Sequence, residues 1–391
     1  MSDNKSIIIV GAGIFGVTAA LELQQRGHKV KLFDPGPLPH PDASSTDISK
    51  VLRMDYGKDE LYMELMEEAF AGWDQWNEEL GETVFHQTGY LMLSRDPMVP
   101  GGLEHDSFEL LQKRGQPAER LNKGSLEERF PAWNAKNYPD GYFNPRGGWA
   151  PSGRVVQLLI KECEKAGVEL HEGAAFQHLL ENSSKVSGIR TTNGEDHKAD
   201  IVIAAAGAWT PALLPHLQDL MWTVGQPVIH FKPDNHQDYQ PPQFPVWAAD
   251  VGRTGWYGFP AKDDGILKLA NHGPGWSVDP FGERRVPADQ EAKFRDFFAH
   301  TFPGLVDAPK VADRLCLYCD TWDGNFYIDF DPQREGLMLS TGGSGHGFKF
   351  APMLGKLAAD VVEGKQNKYS SRFAWRSRGD ISTEEARFSD L

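Results

Sequence analysis

One stretch near the N-terminus constrains the fold more than any other part of the chain. A short apolar run over residues 7–10 leads directly into Gly11-Ala12-Gly13-Ile14-Phe15-Gly16, which opens an amphipathic segment, and a second apolar run ends at Asp34. The order strand, glycine turn, helix, strand is typical of a dinucleotide-binding unit. In such a unit the first glycine permits the tight turn, the second lets the backbone approach a pyrophosphate, and the third lets helix and strand pack closely.

The same stretch predicts how a nucleotide would bind. Its phosphates would lie at the N-terminus of the helix, where free N–H groups and the helix dipole favour anions. Asp34 follows the glycines by about 20 residues, the spacing at which an acidic side chain accepts hydrogen bonds from a ribose 2′-hydroxyl. The alternative is a glycine-rich turn in some other α/β protein.

Composition argues against several classes of partner. The chain has 391 residues, a formal net charge of -15 and a pI near 5.3. An acidic protein is a poor match for nucleic acid or an anionic membrane surface, and no apolar run is long enough to span a bilayer. The first strand begins almost at once, so we expect no signal peptide and a cytoplasmic protein.

The three cysteines, Cys163, Cys316 and Cys319, do not make a disulfide framework. Cys316 and Cys319 form a C-x-x-C pair, but a zinc site would need further ligands and the sequence has no second pair. On a strand, residues three apart point to opposite faces, which argues against a disulfide between them. We therefore expect no metal site.

The rest of the chain indicates a mixed α/β (α+β) protein, with a Rossmann-like nucleotide-binding domain and a mainly antiparallel-sheet substrate domain. The strand in Asp200–Trp209 ends in small residues, which let the backbone approach a flat ligand. Ser152 is expected to cap a helix that Gly167 ends, and the polar tail Arg376–Leu391 to be loosely ordered. Helical spacing predicts helices over Glu60–Leu80, Asp106–Arg114, Ser152–Ala166, Ala288–Ala299 and Ala351–Gly364. The expected domains are residues 1–85, 150–220 and 320–391 for the nucleotide, and 86–149 and 221–319 for the substrate.

Four motifs carry a resemblance to a known family. They are the N-terminal glycine motif, the strand ending Gly207-Ala208-Trp209, the run Arg314-Leu315-Cys316-Leu317-Tyr318, and Gly343-Ser344-Gly345-His346-Gly347-Phe348-Lys349-Phe350. With them, the chain resembles the FAD-dependent amine oxidases of the D-amino-acid oxidase superfamily, above all monomeric sarcosine oxidase and the fructosyl amino acid oxidases (amadoriases). The resemblance implies FAD as cofactor and oxidation of the C–N bond of a secondary-amine amino acid, giving an imine that is then hydrolysed and hydrogen peroxide.

The resemblance also implies how FAD is held. Cys316 matches the cysteine that binds the flavin covalently through its C8 methyl group; the alternative is an ordinary buried thiol. The glycine turn before Lys349 should aim N–H groups and a helix N-terminus at the flavin pyrimidine ring, which stabilises the anionic reduced flavin. Beyond the first motif and Asp34, the expected cofactor-binding residues are Ser45, Lys50, Gly207, Trp209, Cys316, Gly343, Gly345, His346, Gly347, Phe348 and Lys349.

Five residues match substrate or catalytic positions of the family. Lys349 and Arg53 match the two cations that bind the substrate carboxylate, and two cations suit one carboxylate by charge-assisted hydrogen bonding. Lys268 matches the lysine that activates oxygen, His272 an active-site histidine and Tyr257 a tyrosine of the pocket wall. The structural alternatives are a salt bridge for Arg53, a strand-edge position for Lys268, and ordinary core roles for His272 and Tyr257.

The substrate stays open between two branches of the family. The run Asp47-Ile48-Ser49-Lys50 resembles the amadoriases, whereas Gly343–Gly347 is closer to sarcosine oxidase. We therefore expect a fructosyl amino acid first, and sarcosine, another N-methyl amino acid or pipecolate second, with molecular oxygen as acceptor and a monomeric enzyme. The rivals are a flavin dehydrogenase that passes electrons to a protein partner, and a flavin-binding module without catalysis.

Overall fold

A computed structural model of the chain describes residues 4–387. The strands are β1 (Ser6–Val10), β2 (Lys29–Asp34), β3 (Lys50–Leu52), β4 (Tyr90–Ser94), β5 (Glu119–Asn122), β6 (Asp140–Asn144), β7 (Gly148–Ala150), β8 (Glu169–Glu172), β9 (Phe176–Asn182), β10 (Lys185–Thr191), β11 (Asp196–Lys198), β12 (Ile201–Ala204), β13 (Met221–Phe231), β14 (Val246–Ala249), β15 (Trp256–Phe259), β16 (Leu267–Asn271), β17 (Trp276–Ser277), β18 (Lys310–Thr321), β19 (Tyr327–Phe330) and β20 (Leu337–Thr341). The helices are α1 (Ile14–Gln25), α2 (Glu60–Glu79), α3 (Leu103–Lys113), α4 (Lys123–Arg129), α5 (Ser152–Ala166), α6 (Thr210–Leu213), α7 (Val251–Thr254), α8 (Ala288–Thr301), α9 (Ala351–Val362) and α10 (Ser370–Phe373). None of the helices in this part of the chain is long and apolar enough to cross a membrane.

One part of the molecule is built on a six-stranded sheet with strand order β19-β20-β12-β1-β2-β8. All neighbours are parallel except β19, which runs antiparallel to β20. Helix α1 packs against α5 and α9, and it approaches α9 closely because Gly355 has no side chain: a Cβ there would overlap the carbonyl of Thr18. Since β12 lies beside β1, the small residues after β12 reach the glycine turn that follows β1.

The other part is built on a nine-stranded sheet with strand order β17-β13-β16-β15-β14-β4-β6-β5, in which β18 also pairs with β13. Only β4 and β14 are parallel, and the other pairs are antiparallel. An aromatic core between this sheet and α8 includes Trp133, Trp247, Phe298 and Phe302. The predicted mixed architecture, with a Rossmann-like part and a mainly antiparallel part, is confirmed, while the exact domain boundaries stay a prediction.

The long helices lie where the sequence predicts them, but the prediction that Ser152 caps α5 is wrong. Gly167 ends α5 with a φ of +89°, as predicted. The N-cap position is occupied by Pro151, and the Ser152 hydroxyl instead donates to the carbonyl of Asp47. A capping side chain satisfies a helix N–H, whereas this hydroxyl ties the helix to the segment that precedes β3.

The expectation of a loosely ordered tail is wrong for residues 376–387. The Arg376 guanidinium pairs with Asp323 at 2.6 Å, the Ser382 N–H donates to the Trp322 carbonyl, and Arg387 lies 2.6 Å from Asp320. The two arginines of this polar segment form ion pairs with carboxylates of the rest of the fold. The polar composition of the segment does not predict such pairs. The last four residues, 388–391, lie outside the described part of the chain.

Candidate active site

A cavity of about 480 Å³ extends from the glycine turn after β1 to the residues around Lys349. Every predicted site residue except Gly16 and Lys268 lines it. The predicted site residues that line the cavity are Gly11, Gly13, Ile14, Phe15, Asp34, Ser45, Lys50, Arg53, Gly207, Trp209, Tyr257, His272, Cys316, Gly343, Gly345, His346, Gly347, Phe348 and Lys349.

The glycine turn is built for close approach of backbone to backbone. Gly11 has a φ of +104°, and a Cβ there would lie 2.6 Å from the Ala205 carbonyl oxygen. A Cβ on Gly16 would overlap the Gly11 carbonyl, so this glycine packs the helix against the turn without lining the cavity. The Phe15 ring closes against a second glycine turn, where a Cβ on Gly343 or Gly347 would come within 3.2 Å and 3.0 Å of the ring.

Asp34 and Ser45 complete this end of the cavity. The Asp34 carboxylate accepts the Ala12 N–H at 2.9 Å and the Gly36 N–H at 3.1 Å. Its remaining acceptor positions suit hydroxyl groups, because an ionised carboxylate can accept up to about four hydrogen bonds. The Ser45 hydroxyl accepts the Ile14 N–H at 3.0 Å, at the start of α1.

Cys316 lies on β18, buried in the cavity wall, with Lys50 beside it. The Lys50 ammonium is 3.9 Å from the Cys316 sulfur and 3.6 Å from the Asp47 carboxylate. Burial opposes the charged form of Lys50, but attraction to Cys316 and Asp47 outweighs it and raises the pKa of this lysine. All three cysteines are free and buried.

Lys268 does not line the cavity, although its predicted role would place it over the flavin. It lies on β16, fully buried, and donates to the Asp47 carboxylate at 2.5 Å and to the Ser49 carbonyl at 2.6 Å. Burial lowers the pKa of Lys268 to about 8 against the attraction of Asp47. Asp47, the first residue of the amadoriase-like run, therefore joins Lys268 to the cavity-lining Lys50.

Lys349 heads a chain of buried hydrogen bonds. Its ammonium donates to the Tyr56 hydroxyl at 2.8 Å and to the His346 carbonyl at 3.0 Å. The Tyr56 hydroxyl meets His346 Nδ1 at 2.9 Å, and His346 Nε2 meets the Gly324 carbonyl at 2.9 Å. Burial lowers the pKa of His346 to about 4, so the ring is neutral: Nε2–H donates to the carbonyl and Nδ1 accepts from Tyr56. Lys349 keeps one further N–H for a ligand, since an ammonium has three donors.

Arg53 and His272 share a partner that the sequence did not indicate. Arg53 donates to the Asp55 carbonyl, and its Nη2 lies 3.5 Å from Glu384 Oε2. His272 Nε2 lies 2.8 Å from Glu384 Oε1. Glu384 comes from the tail that was expected to be loose, and it belongs to no motif, so only the folded structure brings it to the site.

Tyr257 forms part of the same wall. It lies on β15 and lines the cavity, with its ring 6.5 Å from that of His272 in an edge-on arrangement. Among residues 4–387, no three His, Cys, Asp or Glu side chains are placed to hold a metal ion together. The lining of the cavity offers amides, hydroxyls, carboxylates, cations and the thiols of Cys316 and Cys319.

Comparison with known proteins identifies the family. The model of the DAO family, described as FAD-dependent oxidoreductases, matches residues 6–361. The chain belongs to this family. It is an FAD-dependent oxidoreductase, as the motifs predicted, and the match spans both sheets.

The chain is similar to two kinds of oxidase. N-methyl-L-tryptophan oxidase of Salmonella dublin is 29% identical over 367 residues, covering 93% of this chain and 96% of that protein. The corresponding enzyme of Yersinia pestis (strain Pestoides F) is 29% identical over 366 residues, covering 92% and 95%. The crystal structure of fructosyl amine:oxygen oxidoreductase (Amadoriase I) from Aspergillus fumigatus superposes with a TM-score of 0.84 at 25% identity, covering 100% of this chain and 94% of that one.

The residues present fit FAD. The side-chain-free turn at Gly11 and Gly13 leaves room for a pyrophosphate, and Asp34 offers carboxylate oxygens to a ribose. The same cavity continues to Cys316 and to the second glycine turn at Gly343–Gly347. One continuous space thus contains both the nucleotide-type features and the candidate substrate cations.

Gly11→Ala should prevent FAD retention. The left-handed backbone costs a non-glycine residue roughly 1–2 kcal/mol, and the new Cβ would press on the Ala205 carbonyl at 2.6 Å. The matched control is Gly101→Ala, because Gly101 has a φ of +90° and nothing within 4 Å of its Cβ position. We expect colourless Gly11→Ala protein with a lowered melting temperature and yellow Gly101→Ala protein, measured by flavin absorbance and thermal unfolding. A fully yellow Gly11→Ala protein would show that the turn does not approach the cofactor.

Proposed function

We propose that this protein is an oxidase of secondary-amine amino acids, with oxygen as acceptor. The observation that carries the proposal is that Arg53 and Lys349 line the same cavity as Cys316 and the glycine turn. FAD, when bound, would supply the redox chemistry, namely uptake of a hydride equivalent from the carbon next to the amine nitrogen and reoxidation by oxygen to give hydrogen peroxide. The product imine is then hydrolysed.

The protein's contribution is placement and electrostatics. The glycine turn, Asp34 and Ser45 hold the dinucleotide, and Cys316 holds the flavin, covalently in our proposal. Lys349 directs its free N–H at the substrate carboxylate. Burial and the neighbouring Arg53 charge lower the pKa of Lys349 well below its usual range. Because only the protonated lysine attracts an anion, carboxylate binding should be strongest at low pH and weaken as pH rises through that pKa.

The first candidate substrate is a fructosyl amino acid, and the second is an N-methyl or cyclic amino acid. The Asp47–Lys50 run and the fold match to Amadoriase I favour the first, and the N-methyl-L-tryptophan oxidases favour the second. In our proposal the enzyme works as a monomer in the cytoplasm, where three free cysteines fit a reducing environment.

A peroxide-release screen tests the proposal. The panel pairs fructosyl-glycine, sarcosine, N-methyl-L-tryptophan and pipecolate with glycine and L-tryptophan as primary-amine controls. We expect peroxide from at least one secondary amine and little from its primary counterpart. Peroxide from none of them, with turnover only when an artificial electron acceptor replaces oxygen, would favour the dehydrogenase alternative. No turnover with either acceptor would favour a binding module.

Lys349→Ala and Arg53→Ala should each weaken binding of a carboxylate substrate about ten- to a hundredfold. A hydrogen bond to a charged group contributes roughly 1.5–3 kcal/mol, and about 1.4 kcal/mol is tenfold in affinity. The measurement is the substrate dependence of anaerobic flavin reduction, with the acid and with its decarboxylated amine analogue. The analogue should change little, and the double variant should lose less than the sum because both cations hold one group. Equal losses for acid and analogue would remove these residues from carboxylate binding.

A further inference from the structure

The C-terminal segment delivers one carboxylate, that of Glu384, into the substrate end of the cavity. Its side chain is 5% exposed and lies beside Arg53 and His272, in the cavity that Lys349 also lines. The segment is firmly attached on both sides: the Ser382 N–H donates to the Trp322 carbonyl at 2.8 Å, and Arg387 lies 2.6 Å from Asp320. The position of Glu384 is therefore fixed by the fold.

The two oxygens of Glu384 have different surroundings. Oε1 accepts the hydrogen bond of His272 at 2.8 Å. Oε2 is buried and has no hydrogen-bond partner within residues 4–387, although Arg53 Nη2 is 3.5 Å away as an ion-pair contact. Burial disfavours the charge, but the Arg53 and Lys349 cations and the hydrogen bond from His272 outweigh it and hold the pKa of Glu384 well below its usual range. An ionised carboxylate only accepts hydrogen bonds, so Oε2 is an acceptor without a donor.

A ligand can supply the missing donor. Buried acceptors left without a partner are costly, whereas a donor placed there gains a charge-assisted hydrogen bond. The same carboxylate also offsets the charge of Arg53, so a plain carboxylate entering between Arg53 and Lys349 meets one anion as well as two cations. A carboxylate that carries a hydroxyl or amine N–H beside it can satisfy Oε2 while its acid group takes the free N–H of Lys349.

We propose that Glu384 is a specificity-determining residue: it accepts a hydrogen bond from a hydroxyl or N–H adjacent to the substrate carboxylate, and so selects such acids over plain carboxylates. This inference rests on the proposed function for the place of the carboxylate. It gives the tail a direct part in substrate choice, and it accommodates both a sugar-bearing and an N-alkyl amino acid, since each carries a donor.

Calorimetric titration of the holoenzyme with glycolate and acetate tests the inference, because these acids differ by one hydroxyl. Both are titrated without oxygen, and the flavin spectrum is followed to verify that it stays oxidised. We expect the wild-type protein to bind glycolate about ten- to a hundredfold more tightly than acetate, from one hydrogen bond to a charged group. Equal affinities in the wild-type protein would overturn the proposal before any variant is made.

Three variants assign the preference to Glu384. Glu384→Met removes the acceptor at similar length and should bring the two affinities together, with acetate binding more tightly because Arg53 is released. Glu384→Gln keeps a neutral acceptor and should retain part of the preference, so it decides the matter if the Met variant folds poorly. Glu385→Met is the matched control, because Glu385 lies outside the cavity lining, near Gly57, and it should behave as wild type. A full preference in Glu384→Met would refute the assignment. Because the readout is binding, a protein that fails the peroxide screen can still pass or fail this test.

Discussion

Cys316→Ala is expected to convert a yellow acid-precipitated pellet into a colourless one, with all FAD free in the supernatant. The reason is the position of the thiol: Cys316 is 1% exposed, lies on the cavity wall and has the Lys50 ammonium 3.9 Å from its sulfur. Reactive cysteines are typically found beside such a cation. The effect is all-or-none, because a thioether either survives acid denaturation or was never formed. The measurement is flavin absorbance in pellet and supernatant.

Cys319→Ala is the matched control, since Cys319 belongs to the same strand and the same C-x-x-C pair. Its sulfur lies 3.8 Å from that of Met221 and 3.9 Å from the Thr341 hydroxyl, and burial raises its pKa to about 12. A thiol of that pKa is a poor nucleophile at neutral pH, so this variant should keep the yellow pellet. A colourless wild-type pellet, or flavin retained in the pellet of Cys316→Ala, would exclude a covalent link through Cys316.

Lys268→Met is expected to slow flavin reoxidation on the order of a hundredfold, the loss typical of removing one preorganised charge, while flavin reduction changes little. The Asp47 carboxylate lies between two ammonium groups, 2.5 Å from Lys268 and 3.6 Å from Lys50. Without Lys268, Asp47 would neutralise the cavity-lining Lys50 and remove the positive field that we expect to stabilise forming superoxide. Lys50→Met should have a similar effect for the same reason. Stopped-flow traces of the two half-reactions give both rates.

The control is Lys356→Met, an exposed lysine on α9, which should leave both half-reactions unchanged. The pH dependence provides a second check. A lysine is charged below its pKa and neutral above it, and burial sets the pKa of Lys268 at about 8. Reoxidation by the wild-type enzyme should therefore slow as pH rises through about 8. Equal slowing of reduction and reoxidation in Lys268→Met would instead make this lysine a residue of folding or substrate binding.

The parts of the site that are encoded locally could be predicted from the sequence. The glycine turn, α1 and Asp34 lie within one short stretch, where spacing alone dictates the backbone, and Lys349 belongs to a recognisable glycine-rich segment. The placement of Lys268 could not be derived in this way. Its ammonium is held by Asp47 and Ser49, far away in the sequence, and no periodicity reveals such a partner.

Glu384 is a clearer case of a site residue that the sequence could not predict. It lies in a polar tail whose composition predicts looseness, yet Arg376 and Arg387 attach that tail to Asp323 and Asp320. Ion pairs between residues distant in sequence depend on the completed fold, so the sequence offers no spacing that could predict them. The tail thereby brings the Glu384 carboxylate to Arg53 in the candidate substrate site.

Anaerobic mixing of the holoenzyme with fructosyl-glycine, and separately with sarcosine and N-methyl-L-tryptophan, tests whether the protein oxidises secondary amines with oxygen as acceptor. We expect the oxidised flavin absorbance to bleach with at least one of these amino acids. On admission of air, the absorbance should return together with a stoichiometric amount of hydrogen peroxide. A flavin that stays oxidised with every secondary amine, or one that bleaches but does not recover in air, would contradict the assignment as a secondary-amine oxidase.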